Sequence, residues 1–288
     1  MFYSQVLLNG LVLGGLYACI AAGFSLVWGV LNVINILHGS LIVLGAYLAF
    51  FAHQAFGINP FLFAPVAGLV LFAIGYPLQK LVVNPVMGRP VLFTLTLTFG
   101  LNLFLDNVML KFFSADFRKI TFDPPLGQLD LGAVYIPVDR VFATGMGLAL
   151  VFSLWLLLRN TQLGRAIIAV RMDRQAAALM GIDVNRTYAV AFALGAFMAG
   201  AAGSLLSGIF PISPVTSSIY LGKAFVICVL GGLGSIPGVI VGGFALGIIE
   251  SFGTLMLGPE LAVTLSFLVL IALLMFRPSG LLGKRGFQ

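Results

Sequence analysis

The feature that most constrains this chain is the absence of charge from its beginning: the first 79 residues contain no Asp, Glu, Lys or Arg. Apolar segments recur along the 288 residues, most of them with the roughly 20 residues that a helix needs to cross a bilayer. Only 8% of the residues are charged, against about a quarter in soluble domains. The sequence predicts an all-α, polytopic membrane bundle, with residues 1–288 as a single domain. The apolar segments are residues 5–29, 39–57, 60–83, 90–113, 139–159, 187–210, 220–257 and 261–277.

The excess of basic over acidic residues in the chain does not indicate nucleic-acid binding. Fifteen Lys and Arg against nine Asp and Glu give a net charge of +6, but the basic residues are spread over separate loops. Cys19 and Cys228 lie within apolar runs, so neither a disulfide nor a metal site is expected. An intramembrane enzyme is disfavoured, because His38 and His53 lack the HExxH spacing and no GxSxG motif occurs.

One apolar segment, residues 220–257, is too long for a single crossing and is interrupted by GGLGSIPG at 231–238. Glycine and proline together weaken a helix, and a break at membrane depth is tolerated only against protein or a water-filled cavity. We therefore predict two shorter helices that meet at a break. The residues assigned to this break are Gly231, Gly232, Gly234, Pro237 and Gly238.

Arginine and lysine predict the orientation of the bundle. The loop at about 160–186 contains four arginines, and Arg277, Lys284 and Arg285 follow the last apolar segment, so both regions are expected in the cytoplasm. The loop at about 114–138 has three acidic against two basic residues and is expected outside. Two regions on one side are separated by an even number of crossings. Two crossings by the broken segment therefore give nine helices and an outside N-terminus, whereas a re-entrant half gives eight.

Charge is concentrated in residues 164–186, GRAIIAVRMDRQAAALMGIDVNR. Within this stretch Asp173 can cap a short Ala-rich helix and Gly181 can stop it, so one or two short helices are expected beneath the membrane. A solvated loop whose arginines merely determine topology is the alternative. The combination of four arginines with a capped helix of partner-docking size favours a docking role.

At this point the residues carry a resemblance to a known family. QAAALMG at 175–181 is similar to the Glu-Ala-Ala-x-x-x-Gly element of ABC importer permeases, and residues 164–184 resemble its version in branched-chain amino-acid permeases. Residues 7–39, the GGLGSIPG break and FRPSGLLG near the end resemble the shorter permease subunit of that family, in the same order. Gln175 departs from the pattern, because an acidic residue is usual there. With Gln175 at this position, the side chain cannot form a salt bridge to an ATPase. Docking of the helix by its shape does not depend on that charge.

The resemblance implies an importer of the bacterial inner membrane. In such systems two related permeases form the pathway, two cytoplasmic ATPases bind ATP and magnesium, and a periplasmic binding protein delivers the solute. This chain would supply half of the pathway, surrounded by lipid, without being an enzyme or holding a cofactor. In agreement, the sequence has no G-x-x-x-x-G-K-[ST] phosphate loop. We refer to residues 160–186 as the coupling loop; its expected coupling residues are Gly164, Arg165, Arg171, Arg174, Gln175, Ala176, Ala177 and Gly181.

Polar side chains at membrane depth are candidates for the pathway or a gate, because unpaired polar groups are costly in hydrocarbon. The alternative for the asparagines and the histidine is a satisfied helix end at the membrane boundary. For the threonines it is hydrogen bonding to their own helix, and for the glutamate a helix end that water reaches. The candidates are Asn32, Asn35, His38, Thr94, Thr96, Thr98 and Glu250.

The substrate class follows from the resemblance and from a conduit that is mostly apolar with Thr, Asn and Ser side chains. Both suit leucine, isoleucine or valine, while related permeases for urea, amides or other small solutes are the alternative. The sequence leaves open whether the partner permease is a different chain or a second copy. A secondary transporter or channel would also show broken helices and polar membrane residues, but would need no ATPase.

Overall fold

The computed structural model describes residues 2–122, 127–130, 134–277 and 280–282. Within these ranges the chain is almost entirely helical, as predicted, with one short hairpin. The α-helices are α1 (Phe2–Leu31), α2 (His38–Phe56), α3 (Pro60–Leu78), α4 (Val91–Phe113), α5 (Val138–Asn160), α6 (Gln162–Met172), α7 (Arg174–Leu179), α8 (Val184–Ser207), α9 (Ser217–Gly231), α10 (Ile236–Leu257) and α11 (Pro259–Phe276). The hairpin pairs β1 (Gln128–Asp130) antiparallel with β2 (Tyr135–Pro137) in the predicted outside loop.

The apolar helices correspond to the eight to nine crossings that the sequence predicts. In the described ranges eight helices are long and apolar enough to span a bilayer, and the apolar helix Leu261–Phe276 is shorter. The helices α6 and α7 are not among them and form the coupling loop between α5 and α8. The prediction of a polytopic helical bundle is confirmed.

The centre of the bundle is formed by α1 and α8. Their most apolar windows are 83% and 89% buried, against 11% for α4, which lies at the periphery. Close contact depends on glycine: a Cβ on Gly23 would lie 2.5 Å from the carbonyl oxygen of Gly195, and one on Gly45 would lie 2.5 Å from that of Gly200. In a bilayer, close backbone packing of this kind holds helices together, because lipid tails are as apolar as leucine.

The coupling loop and the last described residues lie at the same end of the bundle. Leu281 donates its N–H to the carbonyl oxygen of Leu230 over 2.7 Å, so the chain after α11 pairs with the end of α9. In the turn that follows α9, the carbonyl oxygen of Gly234 accepts a hydrogen bond from Arg171 of α6. This common end agrees with the parity prediction.

The beginning of α1 lies at the opposite end. Gln5 exchanges two hydrogen bonds, of 2.6 and 2.8 Å, with the backbone of Tyr135 in β2. The outside loop and the first helix thus share an end, as the four intervening helices α1 to α4 require. Lys284 and Arg285, which contributed to the prediction, lie outside the described residues. The assignment of the coupling-loop end to the cytoplasm stays a prediction from charge.

The predicted break is a tight turn between two antiparallel helices, α9 and α10. Gly231 and Gly238 lie so close that a Cβ on either would overlap the carbonyl oxygen of the other. Gly232 and Gly234 have φ of 102° and 73°, which glycine adopts readily. Pro237 lies in the first turn of α10, where its missing N–H is not needed. The prediction of two helices is confirmed, and the break lies at the coupling-loop end.

Two helices begin inside the bundle rather than at its ends. His38, the first residue of α2, places its Nε2 atom 2.9 Å from the carbonyl oxygen of Ile20. Ile20 lies eleven residues before the end of α1, or about 16 Å along it. Residues 32–37 therefore return to this depth as non-helical chain. The first residue of α9 lies beside α2, because a Cβ on Gly39 would overlap the carbonyl oxygen of Ser217.

The chain contains two copies of one three-helix arrangement in opposite orientations. The helices α1, α2 and α3 correspond to α8, α9 and α10, and α1 runs towards the coupling loop whereas α8 runs away from it. Each copy contains one helix that begins inside the bundle. The corresponding helix ends differ by 175 to 182 positions, and three pairs differ by 175 or 176: Leu31 and Ser207, Phe56 and Gly231, Pro60 and Ile236.

Candidate functional site

The coupling loop contains two capped helices. The Thr161 side chain caps α6, and the Asp173 carboxylate caps α7 by accepting from the N–H groups of Gln175 and Ala176, at 2.8 and 3.0 Å. Gly181 follows α7 with φ of 82°, a left-handed conformation that favours glycine. The predicted cap and stop are both present. The segment is therefore a defined pair of helices rather than an irregular loop.

One face of α6 packs against the bundle. Gly164, Ile167 and Val170 are buried, at the spacing of one helical face. A Cβ on Gly164 would overlap the carbonyl oxygen of Leu158, so this glycine permits the tight corner between α5 and α6. Arg165 is exposed. Of these residues, Arg165 is the one that presents its side chain to solvent, while Gly164 acts in packing.

Arg171 is directed towards the chain itself. Its Nη1 atom donates a hydrogen bond of 2.8 Å to the carbonyl oxygen of Gly234. The side chain is half-buried, and this burial lowers the pKa of Arg171 from its ordinary value. Because that value is so high, the guanidinium stays charged. Arg171, one of the expected coupling residues, therefore turns its charge towards its own chain in this structure, and its coupling role stays a prediction.

The outward surface of α7 combines exposed apolar side chains with a cation. Ala177, one of the expected coupling residues, is only 4% exposed and faces the bundle, so its side chain does not contribute to the outward surface of α7. Leu179 and Met180 are instead 89% and 83% exposed. We call the outward set the docking face. It consists of Met172, Arg174, Gln175, Ala176, Leu179 and Met180.

The three candidate threonines do not share one environment. Thr94 and Thr98 are buried, whereas Thr96 is exposed on the other side of α4. All three hydroxyls donate to carbonyl oxygens of their own helix over 2.8 to 3.1 Å, so the back-bonding alternative describes them. Thr98 also donates over 3.1 Å to the carbonyl oxygen of Ile34. Ile34 lies in the non-helical residues 32–37 before α2, which we call the return segment.

Two residues that sequence reasoning missed continue the line of the buried threonines. Asn102 and Asp106 follow Thr94 and Thr98 at a constant spacing of four, which places all four on one face of α4. We call these four residues the polar seam; it extends about 18 Å along the helix. The sequence signal was available, because a spacing of four is visible once the threonines are read by helical period rather than as alternating residues.

Asp106 lies where the two interior helix ends meet. Its Oδ1 atom accepts from the Ser40 hydroxyl at 2.6 Å, and its Oδ2 atom accepts from the Ser217 hydroxyl at 2.8 Å and from the Asn102 amide at 3.1 Å. Ser40 is in the first turn of α2 and Ser217 begins α9. A carboxylate is stabilised there, because the N-terminal end of a helix carries partial positive charge.

Asn32 and Asn35 belong to the return segment between α1 and α2, and His38 is the first residue of α2. Asn32 is exposed and has φ of 53°, whereas Asn35 and His38 are buried. Since His38 Nε2 contacts a carbonyl oxygen, it is the donor, and its Nδ1 atom has no hydrogen-bond partner among the described residues. His38 thus lies at depth, so a satisfied helix end at the membrane boundary is wrong for it. A gating role stays a prediction.

Glu250 is part of an ion pair inside the bundle. The Lys223 ammonium donates to Glu250 Oε1 at 2.6 Å and to the Tyr17 hydroxyl at 2.8 Å. The two charged side chains are 14% and 15% exposed, so a helix end reached by water does not describe the site. The pair ties α9 to α10 and α1. Sequence reasoning missed Lys223, because a separation of 27 residues does not predict a contact.

A cavity of about 370 Å³ opens beside the coupling loop. Its lining includes Thr94, at one end of the polar seam, and Arg174, on the docking face. The cavity therefore adjoins both candidate regions. No group of His, Cys, Asp and Glu side chains suitable for a metal ion occurs in the part of the chain that the structure describes.

These features together indicate the class of protein to which the chain belongs. Helices that begin at depth, an inverted repeat, polar groups where the helix ends meet and an intramembrane ion pair are typical of multi-pass membrane transport proteins.

Comparisons with known proteins specify the family. Residues 6–274 match the family described as branched-chain amino acid transport system, permease component. The high-affinity branched-chain amino acid transport system permease protein BraD of Pseudomonas aeruginosa is 34% identical, over 98% of this chain and 96% of BraD. The permease protein LivH of Escherichia coli K12 is 33% identical, over 99% of this chain and 96% of LivH. The permease protein LivM of the same organism is 26% identical, over 93% of this chain and 68% of LivM. No solved structure matches. The chain belongs to the branched-chain amino acid permease family, which confirms the resemblance.

Proposed function

We propose that this chain is the membrane-spanning permease subunit of an ATP-driven ABC importer and forms half of a pathway for branched-chain or related amino acids. The family match over nearly the whole chain carries the proposal. The coupling loop supports it, because a capped helix with an exposed apolar face projects from the bundle where a motor subunit would bind.

ATP chemistry is assigned to other polypeptides. The sequence has no phosphate-binding loop of the G-x-x-x-x-G-K-[ST] type, so two cytoplasmic ATPase subunits would bind ATP and magnesium. A periplasmic binding protein would deliver the solute, and the complex would lie in the bacterial inner membrane. The match to LivM as well as LivH supports a second, related permease as the partner.

The docking face supplies contacts for an ATPase groove. Leu179 and Met180 are among the most exposed apolar side chains outside the membrane-crossing helices. Arg174 and Arg165 add positive charge beside them. Because exposed ion pairs contribute only about 0 to 1 kcal/mol, apolar contact by the leucine and methionine is expected to dominate the affinity.

The polar seam is the part of the pathway that we assign to this subunit. It leads from the cavity beside the coupling loop to Asp106, where α2 and α9 begin. Polar groups at such depth need protein or water as partners. The polar seam is therefore expected to face a solute pathway rather than lipid. A solute such as urea or an amide is the alternative cargo, and nothing in the seam selects between these solutes.

A secondary transporter is the competing function, because inverted repeats and interrupted helices are also typical of that class. The two functions differ in their partners. The test is purification of the tagged chain after co-expression with the ATPase, permease and binding protein encoded beside it, followed by uptake in proteoliposomes. A complex whose uptake requires ATP and the binding protein is the expected result. Uptake by the chain alone, driven by an ion gradient, would reject the proposal.

A further inference from the structure

Arg171 lies at the junction of three parts of the chain. It donates to the carbonyl oxygen of Gly234, and Gly29 of α1 packs on the same turn, where a Cβ on Gly29 would lie 2.8 Å from the Cα atom of Gly234. A Cβ on Gly234 would itself lie 2.8 Å from Arg171 Nη2. The turn between α9 and α10 is therefore shaped to receive this guanidinium.

The same arginine is closely joined to the docking face. It occupies the last turn of α6, and Asp173, two residues later, caps α7. Ile167 and Val170 hold α6 against the bundle. A displacement of α7 thus reaches α6 through a one-residue junction, and it reaches the α9–α10 turn through the hydrogen bond of Arg171.

From the turn, α9 extends to the polar seam. Its 15 residues measure about 22 Å, and Ser217 at its far end donates to Asp106. Midway, Lys223 pairs with Glu250 and couples α9 to α10. A shift of the turn therefore moves one rigid helix relative to the seam.

We propose that Arg171 is the positioning residue through which movement of the docking face is transmitted to α9 and the polar seam. This rests on the proposed function, since it assigns the route by which an ATPase would act on the pathway. Arg171 differs in this respect from Arg174, which is exposed on the docking face. Loss of Arg171 should separate ATP hydrolysis from transport, whereas loss of a docking cation should weaken binding of the ATPase.

The test compares Arg171→Met, Arg171→Lys and Arg174→Met in the full importer, reconstituted with its binding protein. Three quantities are measured: ATPase retained on purification, the rate of ATP hydrolysis, and solute imported per ATP. For Arg171→Met we expect normal retention and hydrolysis, with solute per ATP reduced about tenfold. Arg171→Lys should recover part of the loss because it keeps a charged donor. Arg174→Met, which removes a docking cation, should instead lower the amount of ATPase retained, and the complexes that remain should import the same amount of solute per ATP.

An unchanged ratio in Arg171→Met would overturn the proposal, and so would loss of the ATPase from that variant. A second measurement needs no partner: hydrogen exchange of residues 232–235 in the isolated subunit should be about tenfold faster in Arg171→Met than in Arg174→Met. Equal exchange rates in the two variants would also count against the proposed role of Arg171. Failure of the unmodified chain to bind an ATPase would instead reject the proposed function.

Discussion

Ser40 and Ser217 donate to the two carboxylate oxygens of one residue, Asp106, at 2.6 and 2.8 Å. They are 177 positions apart, close to the offset between the two inverted copies, and each lies at the beginning of a helix that starts inside the bundle. One carboxylate from α4, a helix outside the repeat, thus joins the two copies where their helix ends meet. The pseudo-symmetric halves are linked at membrane depth by an anion rather than by an apolar contact.

Replacing Asp106 should weaken this link. Asp106→Ala leaves the Ser217 hydroxyl and the Asn102 amide N–H without this acceptor, whereas the Ser40 hydroxyl keeps Asn102 Oδ1 at 2.6 Å. A hydrogen bond to a charged group contributes about 1.5 to 3 kcal/mol. We expect a loss of about 2 kcal/mol in unfolding free energy and reduced uptake, measured by thermal unfolding in detergent and by transport. Asn107→Ala, on the exposed side of the same helix, is the control. Equal stability of both variants would contradict a linking role.

The ion pair between Lys223 and Glu250 should show strong coupling. Lys223→Met leaves a carboxylate with little solvent access and without its cation, which should destabilise the protein by about 3 kcal/mol. The double variant Lys223→Met, Glu250→Met should recover much of this loss, because both charges are removed. A double-mutant cycle of unfolding free energies measures the interaction. Additive effects would show that the two side chains act independently.

Substitutions at two adjacent alanines distinguish contact of the docking face with the ATPase from packing within the subunit. Ala176→Trp adds bulk to the exposed side of α7 and should abolish association with the ATPase while the isolated subunit stays folded. Ala177→Trp overpacks a buried position and should destabilise the subunit itself by about 1 to 3 kcal/mol. Co-purification and thermal unfolding distinguish the two. Arg174→Ala should have a smaller effect on association than Ala176→Trp. Full ATPase retention by Ala176→Trp would remove α7 from the interface.

The turn between α9 and α10 should not tolerate a side chain at Gly234. Gly234→Leu combines a φ of 73° with contacts to Gly29 and Arg171, so we expect impaired assembly and transport. Gly145→Leu is the control, because a Cβ at Gly145 has open space around it. Expression and uptake of both variants are compared. Unchanged uptake by Gly234→Leu would show that the turn is loosely packed.

Topology can be tested by cysteine labelling in intact cells. A cysteine at Arg174 should be protected from a membrane-impermeant reagent added outside, and one at Gln128 in β1 should react. Cys19 and Cys228 are buried and should contribute little background. Reaction of the cysteine at position 174 would reverse the predicted orientation.

The sequence by itself determined the class of the fold and the positions of several turns and helix ends. Apolar segments of membrane-crossing length predict helices, because every backbone polar group must be paired within hydrocarbon. The glycine-rich turn at 231–238, the Asp173 cap and the Gly181 stop were also predictable, since each depends on backbone conformation and hydrogen bonds within a few residues. Such features are local, and a linear sequence records local features directly.

Tertiary structure alone decided which of the polar residues act together. Lys223 meets Glu250, and Arg171 meets Gly234, across separations of 27 and 63 residues. The burial of Ala177 likewise depends on which face of a six-residue helix turns towards α8 and the rest of the bundle. Contacts of this kind follow from how helices that are distant in the sequence pack against one another. Packing is the sum of many weak contacts between distant segments, and no single stretch of sequence specifies it.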